Sequence, residues 1–329
     1  MFKNKSFIIG LLLVMLAIMI TACGSNGDQS SVSNTSNEAE AGKVEEVVSE
    51  QPQTQTVKTV NGDIVIPANA KRIVVDSYLP TLLLLDVKPV GATQVDIENV
   101  HIQNLNANIE STGENSLEKI LALQPDLIIS SDIEKSSFEK FSKMAPTIII
   151  PYETYSDVHE EVRAIGQMLG KDKEAEKWLA MFDEKIQQQR ERIKAVMAEG
   201  ETVSLFGAFG KDSYIYGDGI YKGGQAIYKQ LQLTPPKRIK EELIDKGESY
   251  KQVSFEVLTD YAGDYIFFDI SNGGSLDKND PVWQSVDAVK KDDVFYLDEK
   301  RFRAYDPIAV LAQAEEVADM LVAKKQGQK

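Results

Sequence analysis

The sequence predicts an α/β protein in which two similar halves, each built on a mainly parallel sheet, are joined by one long helix. Three observations in the 329 residues support this fold class. Apolar, β-branched strands such as Arg72–Asp76 alternate with short helices, which is typical of a parallel sheet covered on both faces. A helical pattern then runs from Lys171 to about Met197. After it, a second set of strands and helices follows.

The first half alternates strand and helix signals in regular order. Short β-branched or apolar runs indicate the strands, and apolar residues at three- and four-residue spacings indicate the helices. Ser116 can cap the helix that begins there, and Pro125 ends it. The predicted strands are 63–66, 72–76, 90–92, 126–130 and 147–150, and the predicted helices are 79–87, 116–123 and 138–144.

The centre of the chain carries the longest helical signal. A helix is predicted over 156–169, and Gly170 ends it. In the next pattern Trp178, Phe182 and Ile186 fall on one face, and a helix from Lys171 to Met197 would be about 40 Å long. Beyond it the predicted strands are 203–206, 265–268 and 294–297, and the predicted helices are 224–232, 254–259 and 307–323.

The N-terminus predicts export and a lipid anchor. Two lysines precede an apolar stretch from Phe7 to Ile20, which is too short to cross a bilayer and suits a signal peptide over residues 1–22. The small residues before Cys23 resemble the lipobox of bacterial lipoproteins, in which the cysteine carries the lipid. The alternative is a plain signal peptide with an incidental cysteine. Residues 23–58 are polar and lack aromatic side chains, so we expect a disordered tether.

Composition excludes several classes of function. The net charge of −15 and the pI near 4.7 disfavour nucleic-acid binding, which needs clustered cations. One cysteine rules out a disulfide framework, and two histidines disfavour a transition-metal site built from protein ligands alone. The length suggests two domains, with residues 59–170 and 199–329 as lobes and 171–198 as the bridging helix.

Four segments resemble a known family. Residues 116–129 (SLEKILALQPDLII) are similar to a motif of the substrate-binding lipoproteins that serve iron-siderophore, haem and cobalamin ABC importers. Residues 253–258 (VSFEVL) are similar to the beginning of the same motif in the second half of the chain. The segments 66–74 and 304–307 are also similar, so the resemblance covers about residues 60–325. It implies two Rossmann-like lobes bridged by a single rigid helix, the class III arrangement of periplasmic binding proteins.

The resemblance also implies how such a protein meets its membrane partner. In this family one glutamate on each lobe pairs with arginine on the two permease subunits, and the matching positions are Glu118 and Glu256. The alternative is that each is an ordinary acid in the first turn of a helix, where it interacts favourably with the helix dipole.

A ligand site is expected between the lobes, on loops at strand ends. A ferric siderophore needs cations for its oxygens and aromatic rings for its apolar surface. The residues of these types that follow predicted strands are Tyr78, Lys211, Tyr214, Tyr216, Tyr221, Arg301, Arg303 and Tyr305. Two alternatives stay open: Tyr214 and Tyr216 could belong to a strand, and the arginines could be solvated surface charges.

The functional prediction is the substrate-binding component of an ABC importer, anchored at the outer face of the cell membrane, as in Gram-positive bacteria. The siderophore would supply the iron ligands, so neither a cofactor nor a metal site of the protein is expected. Residues 91–110 contain no Lys or Arg, which favours a hydroxamate over a catecholate. Catecholate, citrate, haem and cobalamin remain alternatives. The partners would be a permease dimer with its ATPase, and the protein would be a monomer.

An enzyme on the same scaffold is the remote alternative. The sequence contains neither a Gly-x-Ser-x-Gly elbow nor a His-Glu-x-x-His motif, and it offers no evident pair of nucleophile and base. The prediction is therefore a protein that binds and delivers its ligand without catalysis.

Overall fold

The computed structural model describes residues 53–210, 212–271 and 276–327. The predicted signal peptide, the predicted lipidation site Cys23, most of the predicted tether and the candidate ligand residue Lys211 lie outside the described residues. Within the described part of the chain, no helix has both the length and the apolar character needed to cross a membrane.

The described chain begins with an antiparallel hairpin of β1 (Thr54–Thr59) and β2 (Gly62–Pro67). The prediction that the tether continues to the end of 23–58 is therefore wrong for its last residues. Their side chains alternate between exposed and half-buried, and Val57 pairs with Ile64 while both pack on the hydrophobic core. This period of two suffices for an edge hairpin even though most of the residues are polar.

A five-stranded parallel sheet forms the first lobe. Its strands are β3 (Ile73–Val75), β4 (Gly91–Ala92), β5 (Glu110–Ser111), β6 (Leu127–Ser130) and β7 (Thr147–Ile149). The helices are α1 (Leu79–Leu84), α2 (Gln94–Ile97), α3 (Leu117–Ala122) and α4 (Lys135–Phe141). The strands lie in the order β5-β4-β3-β6-β7, and β3, β6 and β7 are wholly buried, as expected for strands covered on both faces.

Two helices connect the lobes. α5 (Val158–Met168) begins where the Asp157 side chain accepts a hydrogen bond from a backbone N–H. The predicted long helix is a single element, α6 (Asp172–Lys194), whose 23 residues span about 35 Å. Phe182 and the other apolar residues of its inner face are buried, so the helix is fixed by packing along its length.

The second lobe has a mixed sheet in the order β10-β9-β8-β11-β12. Its strands are β8 (Val203–Phe209), β9 (Asp212–Tyr216), β10 (Tyr250–Val253), β11 (Tyr265–Asp269) and β12 (Val294–Leu297). β8, β11 and β12 are parallel, whereas β9 is antiparallel to both β8 and β10. Neither β9 nor the edge strand β10 is among the predicted strands, although a strand containing Tyr214 and Tyr216 was left open as an alternative.

The second lobe contains more helices than predicted, and two of the predicted ones are not α-helical. They are α7 (Lys237–Glu242), α8 (Pro281–Ser285), α9 (Asp287–Lys290), α10 (Glu299–Arg303) and α11 (Pro307–Gly327). The helix predicted over 224–232 is a π-helical segment, Gln225–Gln230, and the one predicted over 254–259 is a 3₁₀ segment, Phe255–Tyr261.

One hydrophobic core runs through both lobes. The C-terminal helix α11 contacts α1, α5 and α6, so the second lobe packs directly on helices of the first. Leu82, Phe182 and Val317, which come from α1, α6 and α11, belong to the same cluster of buried side chains. The predicted fold class, two mainly parallel lobes joined by a long rigid helix, is confirmed.

Candidate functional site

A cleft with a cavity of about 680 Å³ opens between the two lobes. Its first-lobe wall comes from residues 95–100, which follow β4, together with Ser77 after β3 and Tyr152 after β7. Its second-lobe wall comes from residues 303–306 and Lys300, which follow β12. All these segments leave the carboxyl ends of parallel strands, where open α/β sheets bind their ligands.

Four tyrosines lie at the base of the cleft. They line a narrow extension of about 20 Å³ and are Tyr78, Tyr152, Tyr155 and Tyr305. The rings of Tyr78 and Tyr155 meet edge to face at 6.5 Å, and the Tyr305 hydroxyl donates to the Tyr155 carbonyl at 3.3 Å. The predicted residue Tyr305 also lines the main cavity, whereas the predicted residue Tyr78 is only 7% exposed and lies beneath it.

The electrostatics at this base keep the phenols neutral. Burial, followed by the nearby Glu161 carboxyl, raises the pKa of Tyr155 to about 12. The same two causes raise the pKa of Tyr78 and of Tyr305 still further. Neutral phenols donate hydrogen bonds, and the hydroxyls of Tyr78 and Tyr305 donate to backbone carbonyls, which fixes these rings at the base of the cleft.

Two buried acids lie beside the tyrosines. Glu161 on α5 accepts a hydrogen bond from the Thr81 hydroxyl on α1, and burial raises the pKa of its carboxyl to about 8. Asp306 caps α11 by accepting from the Ala309 N–H at 2.8 Å, and burial raises the pKa of Asp306 as well. Its second oxygen accepts from the Asn99 amide at 2.8 Å, which ties the first lobe to the second.

Two more hydrogen bonds cross between the lobes. The His101 Nε2 atom lies 2.8 Å from the carbonyl oxygen of Arg301, and the Tyr221 hydroxyl donates to the Glu153 carboxylate. The predicted residue Tyr221 is therefore at the interface between the lobes, although it is not part of the wall of the 680 Å³ cavity.

The basic residues of α10 divide between two surfaces. Arg303 is exposed and lines the cavity, and Lys300 lies beside it one helical turn earlier. Arg301 instead forms an ion pair with Glu316 on α11 and contributes no side-chain surface to the cavity. Arg303 thus lies in the cavity wall, and its contact with a ligand stays a prediction, whereas Arg301 follows the alternative of a surface charge. Lys211 lies outside the described residues.

The tyrosines of β9 form an aromatic row on the second sheet. Tyr214 stacks on Tyr216 at 6.4 Å, and Tyr250 links Tyr214 to Tyr221 at 6.1 and 5.2 Å. A Cβ atom added at Gly207 would lie 2.7 Å from the Tyr216 ring, so this ring packs directly on the backbone of β8. The strand alternative for Tyr214 and Tyr216 is confirmed, and neither ring reaches the main cavity.

Glu118 and Glu256 occupy comparable places on the two lobes. Glu118 is exposed in the first turn of α3, whose start is capped by Ser116. Glu256 is exposed in the 3₁₀ segment after β10, where hydrogen bonds from its own backbone N–H and from the Ser254 hydroxyl lower its pKa. Both carboxylates therefore follow strands that end at the cleft side of their sheet.

Most of the cavity wall was not predicted from the sequence. The missed polar and aromatic side chains include Asp96, Glu98, Asn99, Tyr152 and Lys300. Each follows a strand end, so the criterion that selected Tyr78 also applies to them. No single loop identifies them, because the cavity wall is assembled from separate loops.

The described part of the chain contains no group of three or more His, Cys, Asp or Glu side chains placed to hold a metal ion. The cavity instead offers neutral phenols, two exposed cations and a few carboxylates. This chemistry suits a ligand that carries its own polar oxygens.

Comparison with known proteins agrees with this geometry. Residues 76–301 match the family described as "Periplasmic binding protein". Two relatives from Bacillus subtilis (strain 168) are named iron(3+)-hydroxamate-binding proteins. YxeB is 32% identical over 99% of each chain, and FhuD is 32% identical over 94% of this chain and 95% of its own. The chain therefore belongs to the periplasmic binding protein family.

A solved structure shows the same architecture. It is a FhuD-fold periplasmic binding protein component of a Fep/Fec-like ferrichrome ABC transporter from Bacillus subtilis, with a TM-score of 0.75 and 34% identity. The match covers 81% of this chain and 99% of that one, so the likeness includes both lobes and the helix between them.

Proposed function

We propose that this chain captures a ferric siderophore of the hydroxamate type in the cleft and delivers it to the permease of an ABC importer. The observation that carries the proposal is the cavity of about 680 Å³ at the strand ends of two lobes that share one core. Two relatives that match nearly the whole chain are named for binding iron(3+)-hydroxamate, and this supports the same ligand class here.

The lining of the cavity suits a ferric hydroxamate. Such a chelate is bulky, and the cavity lies within the roughly 300–1,000 Å³ that small-molecule sites occupy. Its polarised oxygens can accept from Lys300 and Arg303, and its apolar surface can pack against the rings of Tyr152 and Tyr305.

Charge separates the hydroxamates from the alternative ligands. Three hydroxamates neutralise Fe(III), whereas three catecholates leave a net charge of −3. The cavity wall has only two cations, Lys300 and Arg303, and the exposed carboxylate of Glu98 opposes them, so a triply anionic chelate would not be neutralised. Ferric citrate is disfavoured for the same reason, and haem and cobalamin are the remaining alternatives.

We infer that the protein acts by binding alone, because the siderophore supplies every iron ligand and no chemical conversion is needed. The family and the matched relatives are binding proteins, which supports this role. The partners would then be the permease dimer with its ATPase, and a monomer with one cleft suffices for delivery.

Docking and anchoring complete the proposal. One exposed glutamate on each lobe, Glu118 and Glu256, would pair with arginines of the two permease subunits. Exposed ion pairs contribute about 0–1 kcal/mol each, which suits a partner that must dock and release. A lipid on Cys23 would hold the protein at the outer face of the membrane, and the polar segment after it would act as the tether.

The ligand class can be tested by fluorescence titration of residues 24–329, which retain both lobes. The 12 tyrosines and two tryptophans supply the signal. We expect quenching at submicromolar ferrichrome, with the iron-free siderophore as control because it lacks the visible absorption of the chelate. Quenching by ferric catecholates or haem, with none by ferric hydroxamates, would refute the ligand class.

A matched pair of variants locates the site in the same assay. Arg303→Gln removes a cation from the cavity wall, and we expect roughly three- to ten-fold weaker binding. Arg301→Gln removes the same charge from the same helix but from an ion pair outside the cavity, so affinity should change less than two-fold. Equal losses in the two variants would contradict the assignment of the cleft.

A further inference from the structure

The first-lobe wall of the cleft contains one exposed carboxylate with little to hold it. Glu98 follows the last turn of α2, lines the cavity, and accepts one side-chain hydrogen bond, from the Gln94 amide at 2.8 Å. Among the described residues no cation pairs with it. The carboxylate is therefore available to a ligand that enters the cleft.

The other acids of the cavity are already occupied. Asp96, on the first-lobe wall, is buried and accepts from the Ser77 N–H at 2.9 Å and the Thr93 hydroxyl at 2.6 Å. Asp306, on the second-lobe wall, is buried and accepts from Ala309 and Asn99. The oxygens of both acids are therefore committed to the protein.

The exposed charged side chains of the opposite wall are cations. Lys300 and Arg303 are exposed on one face of α10, and within the described part of the chain neither makes an ion pair or a side-chain hydrogen bond. The cleft is thus polarised across its width, with a carboxylate on the first lobe and two cations on the second. A ligand with a single sign of charge satisfies one wall only.

Resting on the proposed function, we propose that Glu98 selects ferric hydroxamates that carry a pendant ammonium group. The chelate oxygens would face Lys300 and Arg303, and the ammonium group would pair with the Glu98 carboxylate. The specificity would thereby extend beyond the hydroxamate class to the net charge of the chelate, with cationic chelates favoured over otherwise identical neutral ones.

The test compares two ligands that differ in one charge. Ferrioxamine B is a ferric tris-hydroxamate with a protonated primary amine, and its N-acetyl derivative keeps the chelate but loses the charge. Residues 24–329 are titrated with each at low and at high salt. We expect the unaltered protein to prefer the cationic ligand by roughly two- to five-fold at low salt, the range of an exposed ion pair. Salt should reduce the preference.

Two variants assign the preference to a residue. Glu98→Gln keeps the size and the hydrogen-bonding capacity of the side chain, and we expect the ratio of the two affinities to fall to about one through weaker binding of ferrioxamine B. Glu139→Gln removes the same charge from an exposed site on α4, outside the cavity, and should keep the preference.

The outcomes separate the two proposals. If both ligands bind the unaltered protein equally, or if Glu98→Gln keeps the preference, the charge selection is refuted while the hydroxamate function stands. If neither ligand nor ferrichrome binds, the proposed function fails and the charge selection fails with it. The comparison of ligands on the unaltered protein needs no variant to fold.

Discussion

Glu161 makes the stability of this protein depend on pH in a direction that can be measured. Its side chain is buried between α5 and α1, where the Thr81 hydroxyl donates to it, and burial raises its pKa from 4.5 to about 8. The folded state therefore holds a proton that the unfolded chain releases above about pH 4.5. The contribution of Glu161 to the stability of the fold is fully present below about pH 4.5 and is lost as the pH rises through about 8.

The magnitude follows from the two pKa values. At about 1.4 kcal/mol per pH unit, ionising a group whose pKa rises from 4.5 to about 8 costs the folded state about 5 kcal/mol. This is an upper bound, since the site can relax or admit water once the carboxylate forms. Asp96, whose pKa burial raises to about 6, acts in the same direction over a lower and narrower range.

The assay is urea unfolding at several pH values from 5 to 8. Glu161→Gln keeps the shape of the protonated acid and can accept from Thr81, but it cannot ionise. We expect its unfolding free energy to fall less steeply with pH than that of the unaltered protein, so that the difference between them grows toward pH 8. The control is Glu160→Gln, an exposed acid in the same turn of α5. Parallel pH profiles for the unaltered protein and Glu161→Gln would refute the reasoning.

Two further predictions concern docking and the central helix. Glu118→Arg combined with Glu256→Arg should abolish uptake of labelled ferric hydroxamate by cells that express the permease, while ligand affinity stays unchanged. The control is Glu139→Arg combined with Glu241→Arg, which changes two exposed acids elsewhere on the lobes and should leave uptake intact. Unchanged uptake in the first double variant would refute the docking role. Phe182→Ala on α6 should lower the unfolding free energy by about 3–5 kcal/mol in urea, because the ring is fully buried in the core shared by the lobes, and a loss below 1 kcal/mol would contradict that packing.

Local signals in the sequence were enough to predict the central parallel strands and the long helix. β3 and β7 are short runs of buried, β-branched residues, and such runs have few alternatives to a parallel sheet. The predicted helix from Lys171 to Met197 differs from α6 by only a few residues at its ends. These elements are specified by their own residues.

Strands β1 and β9 could not be predicted in the same way. β1 is polar and depends on pairing with β2, and β9 became visible as a strand only through its partners β8 and β10. In β9 the alternation of Tyr214 and Tyr216 fitted a strand and a ligand loop equally well. Pairing partners distant in sequence decided between them.

The site was predicted in its position but only partly in its residues. Arg303 and Tyr305 line the cavity as expected. Arg301 does not, because α10 places residues 300 and 303 on one face and turns residue 301 toward Glu316 on α11. A run of basic residues predicts the charge of a surface, whereas the helical period decides which of them face the ligand.

The shared core explains why specificity should reside in preformed walls. α11 of the second lobe packs on α1, α5 and α6, so opening the lobes widely would separate buried apolar side chains and expose them to water. Hydrogen bonds such as Asn99 to Asp306 add to that constraint. A cleft that moves little cannot adapt to each chelate, and the fixed placement of its charges must discriminate among ligands. The position of Glu98 across from Lys300 and Arg303 therefore matters more in this fold than it would between lobes joined by flexible loops.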